Sequence, residues 1–191
     1  MLIQTTTTNL IDLTRKTDGR EDKALFAEHV HQGLRQNPKQ LSSRYFYDAK
    51  GSQLFQDIMA LPEYYLTRAE HELFSQHRTA MARAFAEQGY FHLIDLGAGD
   101  GTKTKLLLNE LVAQDRAFDY VPLDISGDAM QALTQDLQEN SPAIPVKAVV
   151  AEYLTGLQWL QKELPERKVV LFMGSNIGNF ERNDGMAFIR Q

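Results

Sequence analysis

Phe91-His92-Leu93-Ile94-Asp95-Leu96-Gly97-Ala98-Gly99-Asp100-Gly101-Thr102 is the stretch that decides the fold. A short apolar run ends in glycines at positions 97, 99 and 101, and a helical pattern follows from Thr102 to Gln114. Strand, glycine loop and helix in that order make a βα unit. Its glycines permit positive φ and let a ligand approach the main chain. Three similar apolar runs come after it: Phe118 to Leu123, Val146 to Val150 and Lys168 to Met173. Helical patterns at Asp128 to Glu139 and Gly156 to Glu163 separate them. Apolar strands alternating with helices imply a parallel sheet covered on both faces. The expected fold is therefore α/β, a doubly wound, mainly parallel, Rossmann-like sheet.

Upstream of that sheet the texture differs. Residues 1–20 read as a polar, unpatterned arm, extended or loosely attached. Asp22 to Leu34 reads as a helix with Leu25, Phe26, Val30 and Leu34 on one side, stopped by Asn37-Pro38. Ser42 to Tyr65 is rich in aromatic residues and is broken at Gly51-Ser52 and Leu61-Pro62-Glu63. Thr67 followed by Glu70 has the spacing of a capping box, which predicts a helix to about Gln88. The expected organisation is an arm over 1–20, a helical N-terminal annex over 21–88 and an α/β domain over 89–191. Only a loop and the start of a helix follow the fourth strand, whereas doubly wound sheets usually run to five or more strands. The α/β domain is thus expected to be incomplete, with an unpaired sheet edge through which the chain self-associates.

Composition narrows the chemistry. The 191 residues are 43% hydrophobic, enough for a real core. Net charge is -5, which does not point to nucleic acid or an anionic membrane as partner. With no cysteine there is no thiolate nucleophile and no Cys-ligated metal, and no His-Glu-x-x-His spacing appears. The N-terminus lacks signal-peptide order and no apolar run is long enough to span a bilayer. A cytoplasmic protein without a metal site is expected.

The glycine loop itself discriminates between ligands. Dinucleotide sites use Gly-x-Gly-x-x-Gly, but here the third glycine is one place early and Asp100 would repel a pyrophosphate. A nicotinamide-dependent oxidoreductase is correspondingly disfavoured. S-adenosylmethionine carries a sulfonium and an ammonium and no phosphate, so it suits an acidic loop. Asp124, ending the second strand, is placed to accept both ribose hydroxyls; a helix cap is the competing reading, since Ser126 and Asp128 begin the next helix. After the third strand, Glu152 is a candidate acceptor for the adenine amino group and Tyr153 for packing on the ring. Capping and ordinary burial compete there.

Beyond these features, three segments are diagnostic: Tyr45-Phe46-Tyr47-Asp48-Ala49-Lys50-Gly51-Ser52, Leu61-Pro62-Glu63-Tyr64-Tyr65-Leu66-Thr67-Arg68-Ala69-Glu70, and Phe172-Met173-Gly174-Ser175-Asn176-Ile177-Gly178-Asn179-Phe180. With them, from about Leu41 to the last residue, the chain resembles the histidine-specific Nα-methyltransferase family of the ergothioneine pathway, which also includes fungal tryptophan-derivative N-methyltransferases. The resemblance implies a class I methyltransferase fold, S-adenosylmethionine as cofactor and methylation of an amino acid's α-amine, histidine favoured. It implies cofactor contacts at Gly97, Lys103, Asp124, Glu152 and Tyr153, with Gly99 in the same loop. It implies an amino-acid pocket at Tyr47, Phe55, Tyr64, Gly174 and Asn179, the last holding the substrate's amino and carboxylate ends. Two departures stand out: Glu152 replaces the family's usual Asp, and Gly-Asp-Gly-Thr-Lys replaces the Gly-Thr-Ser-Glu-Lys of the histidine enzymes.

Family members also continue well past this point, and the further part supplies imidazole recognition. A non-catalytic cofactor-binding or regulatory fragment is therefore the alternative function. No catalytic residue is assigned. Judged without the family, Tyr47, Phe55 and Tyr64 could equally be core, Gly178-Asn179 an ordinary turn, and Arg68 with Glu70 a helix-start ion pair.

Overall fold

The computed structural model describes residues 9–14, 19–46 and 48–190. Five parallel strands form one sheet: β1 (Asn9–Asp12), β2 (Phe91–Leu96), β3 (Phe118–Asp124), β4 (Lys147–Val150) and β5 (Lys168–Phe172). Their order is β1-β4-β3-β2-β5. The chain therefore steps outward from β2 to β3 to β4 and then crosses back to lay β5 on the other side of β2. Such a reversal opens a crevice outside the carboxyl ends of the strands, the usual ligand site of these sheets.

All six residues of β2 are buried, as a central strand requires. Side chains alternate between two cores. Phe91, Leu93, Phe118, Tyr120, Ala148 and Val150 face one. Helices α3 (Leu66–Phe85), α4 (Thr102–Ala113) and α5 (Gly127–Asn140) cover it through Phe74, Leu107, Leu111, Met130 and Leu133. Ile94, Leu96, Val121, Leu123 and Val149 face the other, covered by α6 (Tyr153–Glu163) and α7 (Arg182–Ile189) through Leu160 and Phe188. The sheet is doubly wound, as the alternation of apolar runs and helical patterns requires.

Three sequence expectations are corrected. Within the arm, Asn9–Asp12 is a strand pairing with β4 in register Asn9↔Lys147 to Asp12↔Val150. Four residues with only Leu10 and Ile11 apolar are too few to show a period. Helix α6 begins at Tyr153 rather than Gly156, since Gly156 lies inside it against Leu123. The capping box is not formed. Helix α3 begins at Leu66 with Tyr65 at the N-cap position and no side-chain cap. Thr67 lies within the helix, and Glu70 is engaged elsewhere.

The annex comprises α1 (Gly19–Arg35), a 3-10 turn at Ser43–Phe46, α2 (Ala49–Met59) and α3. Asp48 caps α2, its Oδ1 accepting the Gly51 N–H at 2.7 Å. A Cβ at Gly51 would sit 1.6 Å from the Phe46 carbonyl oxygen, so that motif position admits glycine alone. Leu25, Phe26, Leu54 and Ile58 are exposed. The apolar side of α1 is thus only partly covered, chiefly by Tyr45, whose ring meets Phe26 edge to face at 4.7 Å.

Candidate functional site

A cleft of about 930 Å³ lies over the carboxyl ends of β2 to β5. The loops after each of these strands line it, and the annex closes one side with Phe55, Met59, Tyr64 and Glu70. Its size falls in the range of small-molecule sites.

The glycine loop forms the floor. Gly97, Gly99 and Gly101 all have positive φ, at 73°, 55° and 65°. The reasons for glycine differ along the loop. A Cβ at Gly97 would meet the Tyr153 hydroxyl at 2.7 Å and the Asn176 amide nitrogen at 2.8 Å. One at Gly101 would meet Leu133 Cδ1 at 2.7 Å, so that glycine packs α4 onto α5. At Gly99 there is open space. Asp100, the carboxylate expected to repel a pyrophosphate, turns to the helix start, where its Oδ1 accepts the Thr102 N–H at 3.0 Å.

Asp124 ends β3 beside this loop. Its Oδ2 accepts the Gly99 N–H at 3.0 Å and its Oδ1 the Ser126 N–H at 2.9 Å. Burial pushes its carboxyl above the ordinary range, and the backbone N–H groups of Ser126, Gly99 and Ile125 pull the other way. The cap of α5 is Ser126, whose Oγ accepts the Ala129 N–H, so the helix-cap reading of Asp124 is not what the geometry favours. A carboxylate has about four lone-pair sites, so acceptor capacity remains beyond these N–H groups.

Glu152 occupies the N-cap position of α6, yet its side chain makes no cap bond. It lines the cleft. Tyr153 also lines it, with its ring packed among Phe172, Phe180 and Phe188 at centroid distances of 5.4, 6.3 and 5.8 Å. That packing holds the hydroxyl against Gly97.

Lys103 and Gly174 meet through a residue of the annex. Glu70 Oε2 pairs with the Lys103 ammonium, and Glu70 Oε1 accepts the Gly174 N–H at 2.8 Å. The helix-start pair expected of Arg68 and Glu70 is absent: the Arg68 guanidinium instead donates to the carbonyls of Leu61 and Pro62. Gly174 and Ser175 both adopt positive φ, turning the chain into a 3-10 segment, Asn176–Asn179, that faces the cleft. The Asn176 side chain donates to the Met173 carbonyl at 3.0 Å.

Phe55, Tyr64, Gly174 and Asn179 line the same cleft. Phe55 and Tyr64 meet edge to face at 6.1 Å. Phe55 is 40% exposed, which sets aside the reading of a sealed core. Tyr47 lies outside the described residues.

Sequence reasoning missed Asp95, Asn176 and the role of Glu70. Asp95 is 1% exposed on β2. Its Oδ2 accepts the Thr104 hydroxyl at 2.6 Å and the Tyr120 hydroxyl at 3.0 Å, tying α4 and β3 beneath the loop. Burial raises its carboxyl pKa, and the nearby Asp124 charge adds to that, while the two hydroxyls and Lys103 oppose it. The signal was present: an acidic residue inside an apolar strand must find donors. Among the described residues no three His, Cys, Asp or Glu side chains are grouped to hold a metal. No helix among them is long and apolar enough to cross a membrane.

The glycine floor, the carboxylate ending β3 and the topological reversal together define the fold class of S-adenosylmethionine-dependent methyltransferases. Magnesium protoporphyrin IX methyltransferase from Synechocystis PCC 6803, solved with bound S-adenosylmethionine, superposes with a TM-score of 0.51. The two are 17% identical over 76% of this chain and 66% of that one. Within this class, the chain belongs to the family described as histidine-specific methyltransferase, SAM-dependent, whose model matches residues 26–191. Similar proteins include histidine N-alpha-methyltransferase of Mycobacterium tuberculosis, 34% identical over 152 residues, 78% of this chain and 45% of that protein. Ergothioneine biosynthesis protein 1 of Neurospora crassa is 34% identical over 80% of this chain and 17% of its own length. A 4-dimethylallyltryptophan N-methyltransferase of Claviceps purpurea is 29% identical over 85% of this chain and 48% of its own length. The chain therefore spans less than half the length of these relatives.

Proposed function

We propose that this chain forms the cofactor-binding part of an enzyme that methylates the α-amino nitrogen of an amino acid, with histidine the first candidate. The observation that carries the reading is Asp124, held by the Gly99 and Ser126 amides in the cleft that Asn179 and Tyr64 also line. The residues fit the cofactor. Gly99 leaves open space above the loop, and Asp124 keeps acceptor capacity for two ribose hydroxyls. Glu152 is the candidate acceptor for the adenine amino group, and Lys103 the cation for the methionine carboxylate. When bound, S-adenosylmethionine supplies an electrophilic methyl group on a sulfonium with a neutral leaving group.

The chain's own task is then mainly orientation, worth several kcal/mol when the reacting atoms are held at near-attack distance. An α-amine titrates near or above pH 8 and must arrive as the free base. Tyr64 and Asn179 are the groups placed to orient that nitrogen, and no general base is assigned. The histidine preference rests on the named relatives, among which a tryptophan-derivative enzyme also stands.

A second reading has its own support. β5 is an edge strand whose Val170 is 48% exposed, and Ile189 on α7 is 70% exposed. A cofactor-binding part that self-associates, or works with further polypeptide, would leave such surface. Incubating the purified chain with labelled S-adenosylmethionine and a panel of amino acids tests the first reading. Titration of histidine into the protein saturated with S-adenosylhomocysteine separates it from the second. A chain that binds NAD in place of S-adenosylhomocysteine would overturn both.

A further inference from the structure

Glu70 belongs to the annex, yet it spends both carboxylate oxygens on the α/β domain. Oε2 pairs with Lys103 in the first turn of α4, one residue beyond Thr102 where the glycine loop ends. Oε1 accepts the Gly174 N–H at 2.8 Å, at the bend that carries Asn176 and Asn179. The two charged side chains are only 18% and 22% exposed, and both line the cleft. One carboxylate thus grips a cation on the cofactor side and the backbone on the amino-acid side.

We propose that Glu70 is a positioning residue that links occupancy of the cofactor's amino-acid tail to the setting of the Gly174–Asn179 turn. The inference rests on the function proposed above. A lysine ammonium has three donors, and Glu70 takes one, which leaves donors for a second carboxylate. In a partly buried cleft these charge-assisted bonds influence one another. A carboxylate arriving at Lys103 draws on the ammonium that Glu70 shares, and Glu70 answers at its other oxygen, on the Gly174 amide. Glu70 touches neither reacting atom in this scheme. If Glu70 merely strapped α3 to α4, its loss would lower stability and leave ligand discrimination unchanged.

Calorimetry on the full chain decides between these. The ligands are S-adenosylhomocysteine and 5′-methylthioadenosine, which lacks the amino-acid tail. The proteins are the parent chain, Glu70→Gln, Lys103→Met and the double variant. Glu70→Gln keeps an acceptor for Gly174 and removes the charge facing Lys103. Without that charge the Lys103 ammonium is no longer held in place for the tail carboxylate, so the variant is expected to weaken S-adenosylhomocysteine about tenfold and to leave 5′-methylthioadenosine unchanged. The double variant should lose less than the sum of the single losses. The Gly174 amide resonance should shift on S-adenosylhomocysteine addition in the parent and stay still in Lys103→Met. Equal affinities in parent and Glu70→Gln overturn the proposal, as does an equal loss for both ligands. Should Glu70→Gln fail to fold, Lys103→Met alone carries the comparison: an unaltered Gly174 response in it overturns the link. A parent chain that binds neither ligand overturns the proposed function itself, and this inference with it.

Discussion

Asp124 and Gly99 are joined at the floor of the cleft, the Gly99 N–H donating to Asp124 Oδ2 at 3.0 Å. The bond fixes the end of β3 to the tip of the loop after β2. It places a carboxylate where the backbone is bare of side chains, since Gly99 has open space where a Cβ would stand. The loop and the carboxylate are therefore one structural unit.

Replacing Asp124 with Ala should cost about 1.5–3 kcal/mol of S-adenosylhomocysteine affinity, the range for hydrogen bonds to a charged group. Isothermal calorimetry measures it. A dissociation constant equal to the parent's would take Asp124 out of the site.

The same residue makes a pH prediction. Its carboxyl titrates near 3.8 when unfolded and higher in the fold, because burial penalises the charge. The stability linked to it is full below about pH 3.8 and is lost as pH rises through the raised folded value. At pH 7 the buried charge is a standing cost, so Asp124→Asn should gain thermal stability relative to the parent there. The gain should shrink as pH approaches 4. The variant's amide can satisfy only one of the two backbone N–H groups, a loss that does not vary with pH. A Tm difference that is flat with pH is the adverse result.

Gly97 and Gly99 should respond differently to alanine. At Gly99 the cost is the left-handed backbone alone, about 1–2 kcal/mol. At Gly97 the methyl group also collides with Tyr153 and Asn176, adding about 1–3 kcal/mol of overpacking. Urea unfolding of the two variants should rank them in that order, and equal losses would mean Tyr153 and Asn176 move aside freely.

On the amino-acid side, Asn179→Ala and Phe55→Ala should leave S-adenosylhomocysteine binding within about twofold and weaken histidine binding to the loaded protein by about 1 kcal/mol or more. Competition calorimetry reads both. Loss of cofactor affinity in either variant would move that residue to the other half of the cleft.

The β5 edge gives the last prediction. Self-association through it should be visible by sedimentation velocity, and Val170→Lys should reduce it, since an edge lysine opposes strand pairing. Identical sedimentation of parent and variant would clear that edge of the role.

The sheet was legible because β2 to β5 are short apolar runs that alternate with helical patterns, with glycines directly after β2. The cleft was legible at the strand ends, where Gly97, Asp124 and Glu152 all line it. What was not legible came from distant partners. Thr67 and Glu70 satisfy the capping-box spacing locally, yet Glu70 is claimed by Lys103 and by Gly174, residues that only the folded sheet brings to it. Asp95 is paired through Thr104 and Tyr120, and Tyr120 lies one strand away. β1 escaped because four residues carry no readable period.

That short strand has a consequence for how the chain is made. Asn9 to Asp12 leave the ribosome well before their partners, Lys147 to Val150. A strand made before the rest of the sheet is thus among the last able to dock, and it waits for β4 while β2, β3 and their helices condense locally. Pairs so remote in sequence close slowly and contribute late to folding. A nascent chain halted before Lys147 would hold a β2–β3 core with Asn9 to Asp12 still in search of a strand.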